Sequence, residues 1–355
     1  MKRRSWWLLV VWSLILALAL AACGGGAAEP PAGDAGEVAE PTAETAAEEP
    51  TAAAEEPADE GAAAEGDNII IKLAENPWSA SMINANVARI LLEEELGYPV
   101  EIVTIDENAQ WASLATGDLH ASLEVWPSGH AENVAQYIDD QGVVENGGLL
   151  GPVGKIGWYI PSYMVERNPA LATWEGFQDP AAAAEFATAE TGDLGQFLAG
   201  DPSWVQYDAD IITNLELPLQ VVNAGSEQAI LAALDAAYSR EEPILFYFWT
   251  PHSIHAKYEL TEVALPEHTE ACYAEADTGG VACDYPGDDL FKIFWAGLAE
   301  AAPDAYTLLK NMNYSTEDQI TMVAAVELDG KTADEAAREW LAANEATWRA
   351  WMPAE

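Results

Sequence analysis

Residues 69–127 read IIIKLAENPWSASMINANVARILLEEELGYPVEIVTIDENAQWASLATGDLHASLEVWP, and the order of their apolar patterns decides the fold. Ile69-Ile70-Ile71-Lys72-Leu73-Ala74 has the short apolar run of a buried strand, whereas Ser81 to Leu96 spaces its apolar residues at helical intervals and stops at Gly97. Val100 to Ile105 predicts the next strand, Asn108 to Thr116 a short helix, and Ala121 to Val125 a third strand. Strands alternating with helices in this way need crossover connections and therefore form a parallel sheet. Ligands gather at the carboxyl ends of such strands.

Working outward, a second set of elements runs from about Ile156 to Trp249, with a helix predicted over Ser226 to Ser239 and a strand over Pro243 to Phe248. Helical patterns at Asp288 to Ala301, Thr316 to Val326 and Thr332 to Trp351 then return to the first set. The expected organisation is an α/β protein of two lobes, 68–155 with 255–355 and 156–254, whose two crossings make a hinge.

The N-terminus has a different character. Lys2, Arg3 and Arg4 precede an apolar run from Trp6 to Ala22, which has the form of a secretory signal. The run ends in Leu20-Ala21-Ala22-Cys23-Gly24, which resembles a bacterial lipobox, so residues 1–22 are expected to be removed and Cys23 to carry a diacylglycerol. Residues 24–67 contain thirteen acids, no Lys or Arg, and Val38 as their single large aliphatic side chain; such a segment buries no core and reads as an extended tether. These features imply anchoring to the outer face of the cell membrane.

Of 60 acids and 14 bases in the whole chain, 47 and 11 fall outside the signal and tether. This excess excludes nucleic acid and anionic membrane surfaces as partners of the body and suits a monomer that stays soluble in high salt or acid. After Cys23 only Cys272 and Cys283 remain, and outside the cell such a pair is expected to form a disulfide. There is no Cys-x-x-Cys pair for a metal.

Four aromatic, Pro-bearing motifs punctuate the body: Asn76-Pro77-Trp78, Glu124-Val125-Trp126-Pro127, Gly157-Trp158-Tyr159-Ile160-Pro161 and Phe246-Tyr247-Phe248-Trp249-Thr250-Pro251-His252. Trp78, Trp126 and Trp249 each follow a predicted strand. A trimethylammonium group has no N–H to donate and a charge spread over apolar methyls, so indole faces host it better than a hydrogen-bonding acid does. The motifs therefore point to a cage for a methylated cation. Trp174, Trp204, Trp295, Trp340, Trp348 and Trp351 read as packing residues, the last three at helical spacing with Leu341.

The order of Trp78, then Ala115-Thr116-Gly117-Asp118-Leu119-His120-Ala121 leading into Glu124-Val125-Trp126-Pro127, then Phe248-Trp249-Thr250-Pro251-His252, resembles the substrate-binding protein of a glycine betaine type ABC importer, a family that includes choline and proline betaine binders. The resemblance covers roughly residues 68–353. It implies a type II clamshell, each lobe a mainly parallel sheet flanked by helices, with Trp78 and Trp126 from one lobe facing Trp249 and Trp158 or Tyr159 from the other. It also implies a separate permease and ATPase as partners, with no cofactor and no chemistry on the ligand. Choline-binding relatives place an Asp two residues after the first cage Trp, where this chain has Ala80, a departure from the family pattern that counts against choline.

A betaine carboxylate would need donors. The amides of Ser79, Ala80 and Ser81 at a helix start, and His252, are the candidates. The nearest rival is a polyamine or other cationic solute held by Glu75, Asp106 and Glu124; a secreted enzyme is the remote one, for the chain lacks a Gly-x-Ser-x-Gly elbow, a phosphate loop and a His-Glu-x-x-His motif. His252 and His255 alone do not make a metal site.

Overall fold

The computed structural model describes residues 69–354; the signal segment, Cys23 and the acidic tether lie outside them. The opening βαβαβ unit forms as the apolar spacing dictates. Strand β1 (Ile71–Glu75) leads into helix α1 (Ser79–Glu94), β2 (Val100–Thr104), α2 (Ala109–Thr116) and β3 (Ala121–Val125), and β1 lies between β2 and β3, parallel to both. Gly97 and Gly117 follow α1 and α2 with φ of 73° and 77°, a backbone region that costs a Cβ-bearing residue strain.

A second parallel unit mirrors the first. Strands β5 (Gly195–Ala199), β6 (Leu219–Asn223) and β7 (Phe246–Thr250) pair with β5 in the middle. The helix Glu227–Ser239 between β6 and β7 starts where Ser226 accepts the Ala229 N–H. Two longer strands, β4 (Val144–Pro161) and β9 (Gly287–Trp295), join the halves by antiparallel pairing, so one sheet runs β2-β1-β3-β9-β4-β7-β5-β6, with β8 (Leu260–Glu262) on β4. Gly151 bends β4 at φ 120°, where a Cβ would lie 2.0 Å from the Tyr314 carbonyl oxygen.

Three expectations need correction. The segment from Asp288 is not a helix but β9, followed by the short helix Leu298–Ala301. Its run Leu290-Phe291-Lys292-Ile293-Phe294 is flanked by β3 and β4 and buried on both faces, so it lacks the alternation that marks a one-sided strand. The terminal helix is two, Ala333–Ala343 and Glu345–Arg349, broken at Asn344. The strand expected at Pro243–Phe248 lies three residues later at its start, so Trp249 is inside β7 rather than after it.

Helices Thr316–Glu327 and Ala333–Ala343, each opened by a capping box, pack with α1 over the first half of the sheet. There Trp340 stacks on Trp351 at 5.8 Å, and the Trp348 indole donates to the Leu341 carbonyl at 3.0 Å. Cys272 and Cys283 are joined in a disulfide closing an 11-residue separation, and Asn214 ties the enclosed loop down through the carbonyls of Gly279 and Val281. Replacing both cysteines with serine is expected to cost about 2–3 kcal/mol, read as a lower urea midpoint; an unchanged midpoint would mean the cross-link constrains little.

Candidate functional site

Where the carboxyl ends of β1 and β3 approach the elements around β5 and β7, aromatic side chains enclose a cavity. Trp78, Trp126, Trp204 and Trp249 wall it, with Tyr207, Tyr247 and Tyr285 beside them. Its volume is about 40 Å³. A cavity of that size suits a compact ligand.

The indoles are set at right angles. Trp204 meets Trp78 at 6.2 Å and 85° and meets Trp249 at 5.4 Å and 85°, so three rings present faces and edges like the walls of a box. Trp249 is backed by Phe248, stacked at 4.3 Å. Two glycines make room for the rings. A Cβ on Gly154 would lie 2.4 Å from the Trp126 ring, and one on Gly200 would lie 2.3 Å from the Trp204 ring. Gly154→Ala is therefore expected to push Trp126 into the cavity and weaken ligand binding at least tenfold, with a stability loss of about 1–3 kcal/mol; unchanged affinity would show that Trp126 is not a wall.

One buried carboxylate fixes two of the walls. Glu124, on β3, accepts the indole N–H of Trp78 at 2.9 Å and that of Trp126 at 3.1 Å on Oε1, and the side-chain amides of Asn84 at 2.6 Å and Gln319 at 3.2 Å on Oε2. Burial pushes its pKa up to about 7, with the indole and amide donors pulling the other way. Its oxygens are spent on the protein, so it is not a ligand carboxylate of the kind the polyamine reading needs. Glu75 and Asp106 serve that reading no better: Glu75 accepts from Thr104, and Asp106 accepts the N–H groups of Asn108 and Ala109. The acid that does line the cavity is Glu107, whose Oε1 accepts the Val205 N–H at 2.6 Å and whose Oε2 lies 3.2 Å from His130 Nε2.

The remaining sequence candidates are not among the lining residues. Trp158 is fully buried behind the wall; its indole donates to Asp208 at 2.6 Å, and Asp208 also accepts from the Tyr285 hydroxyl at 3.0 Å. It therefore braces a cavity tyrosine instead of lining the cavity. Tyr159 points to the opposite face of β4, as the neighbour of Trp158 in a strand must, and packs 5.1 Å from His255. His252 packs edge-on against Trp249 at 5.6 Å, with Nε2 2.8 Å from Glu227. Ser79, Ala80 and Ser81 are buried at the start of α1: the Ser79 N–H donates to Glu227 at 2.8 Å, its hydroxyl bonds Glu327, and the Ser81 hydroxyl accepts the Asn76 N–H at 2.9 Å.

Trp204, read from sequence as packing, lines the cavity. It lies in Asp201-Pro202-Ser203-Trp204, just after β5, so it carries the same signature as the other motifs: aromatic, Pro-bearing, at a strand end. The signal was present, but β5 itself was not among the predicted strands.

Asp208 is fully buried with Oδ2 unpartnered among the described residues, and burial pushes its pKa up to about 7. A folded-state value above the unfolded one means the native state binds more protons between about pH 4 and 7, so stability falls as pH rises through that window. Asp208→Asn is expected to flatten that slope and recover on the order of 2 kcal/mol at pH 8, read by thermal melts across pH. An unchanged slope would contradict it.

Comparison with known proteins agrees with this architecture. The family profile described as the substrate binding domain of ABC-type glycine betaine transport systems matches residues 70–343. The trimethylamine N-oxide-binding protein of Pelagibacter ubique (strain HTCC1062) is 30% identical over 296 residues, 81% of this chain and 91% of that protein. The glycine betaine/carnitine transport binding protein GbuC of Listeria monocytogenes serotype 1/2a (strain 10403S) is 28% identical over 123 residues, 35% of this chain and 36% of that protein. Among solved structures, a glycine betaine/L-proline-binding protein (ProX) from Borrelia burgdorferi superposes with a TM-score of 0.65 at 16% identity, covering 80% of this chain and 97% of that one. Lactococcal OpuAC in its closed, glycine betaine-bound form gives 0.61 at 22% identity, covering 80% and 99%.

Proposed function

The chain belongs to the family of substrate-binding domains of ABC-type glycine betaine transport systems, and from that membership we propose that it captures a methylated ammonium solute between its indoles and hands it to a membrane permease. As a substrate-binding component of such an importer it works outside the cytoplasm. No helix among the described residues is long and apolar enough to cross a membrane. A diacylglycerol on Cys23 and the acidic tether would hold the domain near the permease.

The observation that carries the ligand class is the box of Trp78, Trp204 and Trp249, completed by Trp126, with no Lys or Arg among the lining residues. Each desolvated ring face contributes about 1–2 kcal/mol to a diffuse cation, so the walls together supply on the order of 3–8 kcal/mol. Micromolar binding needs about 8.2. Expulsion of water as the walls meet supplies the rest. The Pelagibacter ubique and Listeria monocytogenes relatives, named for trimethylamine N-oxide and for glycine betaine and carnitine, support a ligand of this class.

Capture requires an open state, and the strand order supports two lobes. One is built on β1–β3 and the other on β5–β7, and the chain crosses from the first to the second along β4. Because β8 pairs with the end of β4 and Asn214 holds the Cys272–Cys283 loop, we set the return crossing at β9 rather than near residue 255. Trp78 and Trp126 then come from one lobe, and Trp204 and Trp249 from the other. A ligand touching all four biases the closed state.

Calorimetric titration of the full chain with trimethylamine N-oxide, choline, glycine betaine and spermidine tests this proposal. Saturable one-to-one binding of at least one methylated compound with none of spermidine is the expected result. Spermidine binding without any methylated ligand would replace it with the polyamine reading.

A further inference from the structure

Resting on the cage reading above, we propose that the preferred ligand is a methylated ammonium compound without a carboxylate, because Glu227 of the chain itself occupies the seat a ligand carboxylate would take. The sequence marked two donors for such a carboxylate, the amides opening α1 and the ring of His252. Of these, the Ser79 N–H and the His252 ring are turned on Glu227. The Ser79 N–H donates to its Oε2 at 2.8 Å, and His252 Nε2 lies 2.8 Å from its Oε1. His252 Nδ1 accepts the Ile254 N–H at 3.2 Å, so the ring proton sits on Nε2 and is donated to Glu227.

Glu227 is fully buried, held at the first turn of the helix Glu227–Ser239. Its seat adjoins the cage on both sides, for Ser79 follows Trp78 in the chain and His252 packs edge-on against Trp249. The Ser79 hydroxyl is committed to a second acid, Glu327. The first amide of α1 and a histidine that could have received an anion are thus already occupied by one.

The cavity wall leads to the same conclusion. Its acid, Glu107, is held by the Val205 N–H and by His130, and no Lys or Arg lines the space to receive an anion. A zwitterion's carboxylate would lose its hydration there without a cationic side chain to replace it, which is costly in an enclosed site. Tyr207 and Tyr247 offer phenols in its place, and a phenol suits a hydroxyl or N-oxide oxygen that carries no full negative charge.

Calorimetry on the full chain with tetramethylammonium, choline and glycine betaine decides the matter. Tetramethylammonium and choline are expected to bind at least tenfold tighter than glycine betaine, a difference of about 1.4 kcal/mol. Glycine betaine binding as tightly as either of them would overturn the proposal while leaving the cage intact; failure of all three to bind would overturn the cage reading and this inference with it. Glu227→Gln keeps the side-chain volume and removes the charge, and in that variant the preference is expected to shrink at least threefold. An unchanged preference in a variant with a normal melting curve would remove Glu227 from the account.

Discussion

Trp204→Ala is expected to weaken binding of a methylated ammonium ligand by about 2–3 kcal/mol, roughly 30- to 150-fold, beside a folding cost of about 3 kcal/mol for truncating a buried tryptophan. Trp204 is the central wall of the box, perpendicular to both Trp78 and Trp249, so its loss opens two corners at once. Its ring lies against Gly200 and packs at a tilt on Tyr247. The measurement is a titration beside a thermal melt. A variant that binds within threefold of the wild type would return Trp204 to the packing role its sequence context first suggested.

Glu124 separates two ways of losing a carboxylate. Glu124→Ala leaves the indole N–H groups of Trp78 and Trp126 and the amides of Asn84 and Gln319 facing an empty buried space, and is expected to cost about 3 kcal/mol or more in stability and at least 100-fold in affinity. Glu124→Gln is expected to retain most of both. The Asn84 Oδ1 and Gln319 Oε1 atoms are buried without partners among the described residues, so each amide can turn over and accept from the new amide, while its oxygen keeps both indoles. Equal damage from Ala and Gln would show that the charge, not the hydrogen bonding, sets the walls.

Much of this was legible in the sequence, and the failures have definite causes. The βαβαβ opening was readable because β1 and β3 are short apolar runs separated by amphipathic helices with glycine stops, a pattern with few competing folds. β9 was not, because a strand buried on both faces shows no period, and Leu290 to Trp295 fits a helix as well as a strand. Trp78, Trp126 and Trp249 were found through strand ends. Trp204 was passed over because β5 was, and β5 begins at a glycine and offers only Phe197 and Leu198 as large apolar residues.

Trp158 and His252 show a second limit. Chain proximity to a site residue says nothing of which side of a strand a group faces or what takes its hydrogen bonds. Trp158 lies two residues beyond the cavity-lining Ile156 on the same face of β4, far enough along to meet Phe197 and Asp208 instead of the ligand space. His252 was expected to meet the carboxylate of the ligand; its Nε2 lies 2.8 Å from Glu227, 25 residues earlier in the chain, a pairing that chain proximity to Trp249 does not reveal.

The central claim is that the walls select methyl groups on nitrogen, and comparing choline with ethanolamine in one calorimetric titration tests it most directly. The two share a chain and a hydroxyl and differ only in whether the cation carries methyls or N–H bonds. Strong binding of choline with ethanolamine at least 100-fold weaker is the predicted result. Ethanolamine binding as well as choline would contradict the account, because a site that rewards N–H donors is not built from indole faces.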